Sequence, residues 1–269
     1  LKRIKITVIP FLAAGLLQAQ ISVSGEINPY VMTRTINSSQ INLPFRLLSL
    51  DIGYSFEQFD LKTNSAIEHR IKTNKSQYDL RELYFAFYPE WGEVKLGKQI
   101  HSWGAADAIN PTNNLNPYDY YYMFKVGAGT KVGVFSLSST YYSDSFQIEI
   151  IVNPYFNKNR IPYDEDDFPL APDNEPAIRY SPNEEVEVGL KLQTSLTNSD
   201  ISLYFFSGND RSPSLYTGII SAESSTDLAM DLGYRKTTML GSDYVTFVGD
   251  FTVRAEGALY NTKTDPKNN

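Results

Sequence analysis

The sequence has no cysteine, only two histidines and two tryptophans, and fewer basic than acidic side chains. Without cysteine there is no disulfide framework, Fe–S cluster, thiolate zinc site or cysteine nucleophile. The balance of 24 Lys/Arg against 31 Asp/Glu, a formal charge of −7, argues against a generic nucleic-acid-binding surface. Long apolar runs are scarce too: the stretch from Ile6 to Leu17 is shorter than the roughly 20 residues a membrane-spanning helix needs. What the 269 residues do have is rings, 19 Tyr and 15 Phe in a chain that is only 42% hydrophobic. A water-soluble core in so polar a chain has no need of that many.

The N-terminus supplies a context for them. Lys2, Arg3 and Lys5 precede the apolar run, and the small residue Ala19 follows it. A charged start, a short apolar stretch and a small-residue cleavage position make a secretory signal, here residues 1–19, and predict an exported protein beginning at Gln20.

Beyond residue 20 the sequence shows period-two alternation in place of sustained helical periodicity. In 186–196, Val186, Val188, Leu190, Leu192, Thr194 and Leu196 face one way, and Glu187, Gly189, Lys191, Gln193 and Ser195 the other. The segments Leu48–Phe56 and Phe251–Leu259 alternate in the same manner. A soluble sandwich would turn the polar face to water, whereas an outer-membrane barrel turns the apolar face to lipid and the polar face to a wet lumen. The export signal, the supply of Tyr and Phe for interfacial girdles, and strands long enough to cross a bilayer at a tilt favour the barrel. Candidate strands are 22–34, 44–56, 60–72, 78–88, 93–100, 130–142, 146–153, 185–196, 200–207, 228–247 and 251–263. Their links alternate between short turns, such as Glu57–Phe59, Pro89–Gly92 and Val248–Asp250, and long ones, notably 101–129, 154–184 and 208–227. Short periplasmic turns opposite long outer loops are the asymmetry of such barrels.

The expected fold is therefore all-β: an antiparallel up-and-down transmembrane β-barrel of outer-membrane type over residues 20–269. Single-chain bacterial barrels have even strand numbers, because an open edge in lipid leaves backbone groups unpaired at several kcal/mol each. The odd count of eleven candidate strands and the polar tail Thr262–Asn269 predict an N-terminal portion of a longer barrel. A miscounted strand in a complete barrel is the rival expectation.

The most distinctive stretch runs Leu96-Gly97-Lys98-Gln99, then Trp103-Gly104-Ala105-Ala106-Asp107, then Asn110-Pro111-Thr112-Asn113-Asn114-Leu115-Asn116-Pro117-Tyr118-Asp119-Tyr120. It resembles a family of porin-like outer-membrane barrel proteins of unassigned function, with a Gly-Lys/Arg-Gln strand end, a Trp-Gly-x-Ala/Ser-Asp segment and an Asn-Pro-x-Asp segment. A second patch, Met239-Leu240-Gly241-Ser242-Asp243-Tyr244 with Val253-Arg254-Ala255-Glu256-Gly257-Ala258, is similar to the same family. The resemblance implies an outer-membrane barrel and names no substrate.

The first patch falls in link 101–129, the third long one. By architectural analogy with general porins this loop is the candidate constriction, with Trp103, Asp107, Asn110, Asn113, Asn114, Asn116 and Asp119 as its candidate site residues. The competing reading is structural: Trp103 packs inside the wall and Asp107 bonds loop amides. Pro111 and Pro117 deny the segment a regular ladder, so an ordered, turn-rich loop is expected. By strand parity the lumen-facing charges include Glu26, Asp51, Asp60, Lys62, Glu68, Arg70, Glu82, Lys95, Glu187, Lys191, Arg254 and Glu256. Their mixed signs predict a polar wall of weak charge selectivity. The acidic run Asp164–Asp167, with Asp173 and Glu175, lacks the spacing of a calcium loop and reads as solvated charge.

Enzymatic readings fare poorly. His69 and His101 are the only histidines, and the His101–Ser102 pair has neither a triad spacing nor a Gly-x-Ser-x-Gly elbow. No cofactor, metal site or catalytic residue is expected. The leading expectation is a channel in the outer membrane for diffusion of small hydrophilic solutes, with lipid and those solutes as partners and a homo-oligomer compatible with the class. The alternative is a non-conducting structural or surface-interaction barrel that binds a partner through its long outer loops.

Overall fold

A computed structural model of the protein describes residues 19–106, 110–125, 127–162, 165–167, 177–180, 185–220 and 228–263. Residues 1–18, Asp107 and the tail 264–269 lie outside these, and with them the expected signal peptide and one candidate loop residue. The described strands are β1 (Ala19–Ile27), β2 (Phe45–Phe56), β3 (Phe59–Arg70), β4 (Lys75–Phe87), β5 (Gly92–Gln99), β6 (Val134–Tyr142), β7 (Phe146–Asn153), β8 (Ala177–Tyr180), β9 (Glu187–Leu196), β10 (Ser199–Asn209), β11 (Ser214–Ile220), β12 (Leu228–Gly233), β13 (Lys236–Val248) and β14 (Phe251–Thr262).

Eleven strands form one antiparallel up-and-down sheet in the order β1-β2-β3-β4-β5-β6-β7-β9-β10-β13-β14. Among the described residues β1 and β14 are its two edges, and the sheet is compatible with a β-barrel. A smaller sheet pairs β12 antiparallel to β11 and parallel to β8. Tight turns join alternate pairs, with Glu57 (φ 50°) between β2 and β3 and Gly249 (φ 60°) between β13 and β14. At the other end lie the segment 28–44 and the long excursions 100–133, 154–186 and 210–235, with a tight turn only at 71–74.

Each of the eleven expected strands contributes one strand to the larger sheet. Boundaries shift by up to four residues elsewhere, as in 130–142, which begins at Val134, and two differ by more. The expected strand 22–34 ends at Ile27, where Pro29, lacking an N–H, cannot continue the ladder. The expected strand 228–247 is two elements: 228–233 belongs to the small sheet, and Tyr234, between them, packs on Phe156 with ring centroids 4.7 Å apart. The short strands β8 and β11 arise inside links that the sequence reads as loops.

The faces of the large sheet are opposite in character. Cross-strand register sets Ile21, Tyr54, Leu61, Phe85, Leu96 and Leu137 side by side on one face, all exposed. The same face continues through Ile150, Leu190, Phe205, Leu240 and Leu259. Leu203 is 53% exposed and Leu240 59% exposed. On the other, concave face the polar residues Arg46, Glu68, Gln99, Ser136, Ser138, Glu187, Ser202 and Asp243 are buried. Polar residues inside and apolar residues outside invert the arrangement of a water-soluble protein.

Candidate functional site: the inner loop and its cavity

The concave face is occupied by the segment between β5 and β6. Just past β5, Trp103 turns inward and joins Leu115 of the same segment in a cluster with Ile151, Tyr204, Phe206 and Met239. Its indole Nε1 donates to Glu149 Oε2 at 2.9 Å. Gly189 of β9 makes room for it: a Cβ there would stand 2.6 Å from the Trp103 ring and 2.8 Å from the Leu115 side chain. Trp103 thus packs against the inner wall.

Glu256 of β14 fixes the next turn. Its Oε2 accepts from the backbone N–H groups of Ala105 (2.9 Å) and Ala106 (3.0 Å), and its Oε1 from the N–H (3.0 Å) and hydroxyl (2.8 Å) of Thr112. The chain reaches this carboxylate by passing through Gly104 at φ +88°, where a Cβ would lie 2.5 Å from both Glu256 oxygens. At the Trp103–Gly104 pair the glycine supplies both the left-handed backbone and the clearance. A carboxylate with four donors is a strong anchor.

The asparagines hold the loop's own shape. Asn116, fully buried, donates to the carbonyls of Gln99 and Val132 at 2.9 Å each and accepts from the His101 N–H at 2.8 Å. Asn110 donates to the Trp103 carbonyl at 3.3 Å. Asn113 and Asn114 are buried, and Asn113 Oδ1 and Asn114 Nδ2 have no hydrogen-bond partner among the described residues. His101 is buried against Ser136, its Nε2 2.9 Å from the hydroxyl, and burial pushes its pKa down to about 3, so the ring is neutral at physiological pH.

The second half of the loop is tied to the opposite wall. Asp119 receives Arg46 of β2 at 3.3 Å and Arg160 at 3.1 Å, and Arg160 also binds Glu68 of β3 at 2.7 Å. Burial raises the pKa of Asp119 against the pull of these two guanidiniums. Arg46 also donates to the Gly129 carbonyl at 2.8 Å, and Arg81 to that of Ala128 at 2.6 Å. Further along, Arg211 pairs with Glu187, the two only 2% and 1% exposed, at 2.5 Å, and donates to the carbonyls of Asn114 (3.0 Å) and Leu115 (2.7 Å). The loop therefore bridges the concave face from β2–β4 to β14.

Beside it lies a cavity of about 1180 Å³, lined among others by Trp103, Asn113, Asn114, Tyr118, Tyr120 and Arg254. Asn110 and Asp119 also line it, whereas Asn116 does not. Of the expected inward charges, Asp51 accepts from Asn64 at 2.5 Å and lines a small concavity with Ser22, Ser24, Lys62 and Glu82. Glu26 shares the parity of Ser22 and Ser24 on β1, Lys95 binds Glu93 at 2.7 Å, and Lys191 lies over Tyr204 at 5.9 Å.

A family model described as protein of unknown function (DUF1302) matches residues 62–263. The chain belongs to this family. The match runs from within β3 to the residue after β14, so it contains the whole inner loop and the Glu256 anchor. No curated protein and no solved structure matches the chain.

Sequence reasoning missed Arg46, Lys131, Arg160 and Arg211, whose partners are remote in the chain. It also read the acidic run as solvated, yet Glu165 pairs with Arg70 and accepts from the Tyr121 hydroxyl, and Asp167 binds Arg34 at 2.6 Å and the Asn42 N–H at 2.7 Å. Ions that face each other across a concave wall find partners that a linear reading does not show. Asp164, Asp173 and Glu175 lie outside the described residues.

Proposed function

We propose that this protein is a porin-like β-barrel of the bacterial outer membrane that lets small hydrophilic solutes diffuse past the inner loop. The observation that carries the reading is the inverted sheet, whose exposed face is a continuous apolar row while its concave face buries Glu, Arg, Asn and Ser. In water such a surface is a liability, since monomeric soluble proteins rarely expose apolar patches beyond a few hundred Å². Against lipid it is the expected exterior. Insertion requires both sheet edges to be paired, so the proposal includes a partner strand for each of β1 and β14. The strand-end rings, such as Trp91, Tyr142 and Phe251, take the interfacial role, and the excursions 100–133, 154–186 and 210–235 lie on one side of the membrane.

In this reading the loop is the constriction and Glu256 is its fastening. No catalytic role falls to His69 or His101, which bond to Ser76 and Ser136 respectively. A specific observation favours the second reading, a non-conducting barrel that binds a partner through its outer loops: Arg160–Glu68, Arg46–Asp119 and Arg211–Glu187 neutralise one another across the interior.

Single-channel recording in a planar bilayer separates the two. Stepwise currents are expected from the channel, and Glu256→Ala, which removes all four acceptor contacts to the loop, is expected to raise unit conductance or open-channel noise. A well-folded protein that gives no steps, with or without the substitution, refutes the channel and leaves the binding barrel.

A further inference from the structure

The cavity beside the loop contains a buried amine with no ionic partner among the described residues. Lys131 is 3% exposed, and among the described residues no carboxylate lies within ion-pair distance of it. Its Nζ faces only the carbonyls of Asn113 (3.1 Å) and Asn116 (3.4 Å) and the ring of Tyr118, 3.4 Å from the centroid. Burial, with the nearby charge of Arg211 adding to it, pulls the Lys131 pKa well below the lysine range. Carbonyl dipoles and a ring face hold an ammonium weakly compared with a carboxylate.

The rest of the lining does not supply the missing anion. Asp119 is already claimed by Arg46 and Arg160, and Arg211 by Glu187. Arg254 is engaged within the protein and stands outside the balance. What remains among the described lining residues is Lys125 against Asp210, with Lys131 a buried amine whose charged form an incoming anion would favour. The same wall carries the buried Asn114 amide Nδ2, a donor with no acceptor among the described residues. Tyr120 and Met123 add an apolar surface beside these groups.

We propose that this cavity is a binding site for small organic anions, with the solute's carboxylate drawn to Lys131 and Lys125 and its apolar body resting on Tyr120 and Met123. The inference rests on the channel reading and names its solute class, and it differs from the sequence-based expectation of weak selectivity. An opposite charge close to a buried amine favours its charged form, so the anion and Lys131 stabilise each other.

The test is the reversal potential of the reconstituted protein under a KCl gradient. Chloride is expected to permeate about tenfold better than potassium, and Lys125→Gln and Lys131→Gln are each expected to move the ratio toward unity. Lys125 is exposed, so its variant folds even where the buried substitution does not. Currents that are unselective or cation-selective overturn the anion site while leaving the channel standing. Absence of any current overturns the channel, and the site is then decided by benzoate binding in a Trp91→Phe background, read by selective excitation of Trp103 on the cavity wall, which is then the sole tryptophan. Saturable quenching that is weakened by Lys125→Gln supports the site. No saturable quenching overturns it.

Discussion

Arg211→Met is expected to destabilise the protein by about 3–5 kcal/mol, measured as the loss of unfolding free energy in urea from detergent micelles. The guanidinium is the partner of Glu187, itself 1% exposed, and removing it leaves a carboxylate in the interior with no cation. Glu187 Oε1 would keep its bond from the Asn209 N–H at 3.0 Å, which does not neutralise a charge. Arg211 also holds the carbonyls of Asn114, Leu115 and Asn157, so the substitution loosens the inner loop where it meets the segment 154–162. The double variant Glu187→Gln, Arg211→Met is expected to recover part of the loss, because the buried charge has gone while the carbonyls remain unbound. A single variant as stable as the parent would show that water reaches Glu187 and that the interior is not the enclosed environment described above.

A second large effect is expected on the opposite face. Leu203 sits at the middle of β10, exposed, with Leu192 opposite it on β9. Arginine at the bilayer midplane on the lipid face of a barrel costs about 2–4 kcal/mol. Leu203→Arg should therefore lower stability by that amount in bilayers. The same exchange at a site facing water is expected to stay within about 0.5 kcal/mol. Ser202→Arg is not the matching control, since Ser202 is buried on the concave face. Leu196→Arg, at the end of β9, is the better one, with a smaller loss expected because the cost falls toward the interface.

The strand plan was legible because period two survives in any order of strands. Val188, Leu190 and Leu192 alternate with Glu187, Gly189 and Lys191 whatever lies beside them, and a sheet with one apolar and one polar face keeps that pattern clean. Boundaries failed where a local signal was overruled or overlooked: Pro29 stops β1, and the segment 228–233 looks like any strand but pairs in a different sheet. The inner loop was legible as a distinctive object and partly as a structural one, through Trp103 and the prolines. Its fastening was not. Ala105 and Glu256 are 151 positions apart, and Arg46 and Asp119 are 73 apart. Nothing in the spacing of charges along one chain indicates which wall each faces across a curved sheet. Glu256 shares a face with Arg254 in the sequence pattern, and its carboxylate accepts from loop amides that only the curvature of the sheet brings near. Lys131 was overlooked for the same reason: a single lysine after a glycine-rich turn gives no sign of being buried.

The central claim, that the apolar face meets hydrocarbon and the polar face does not, can be measured position by position because the chain has no cysteine of its own. Single cysteines placed at 201 to 205 in lipid-reconstituted protein, each carrying a spin label, report collision with oxygen, which partitions into hydrocarbon, and with a water-soluble paramagnetic chelate. The account predicts a period of two: labels at 201, 203 and 205 accessible to oxygen and shielded from the chelate, labels at 202 and 204 shielded from oxygen. Labels at 203 that collide with the chelate as freely as an exposed loop position would contradict it.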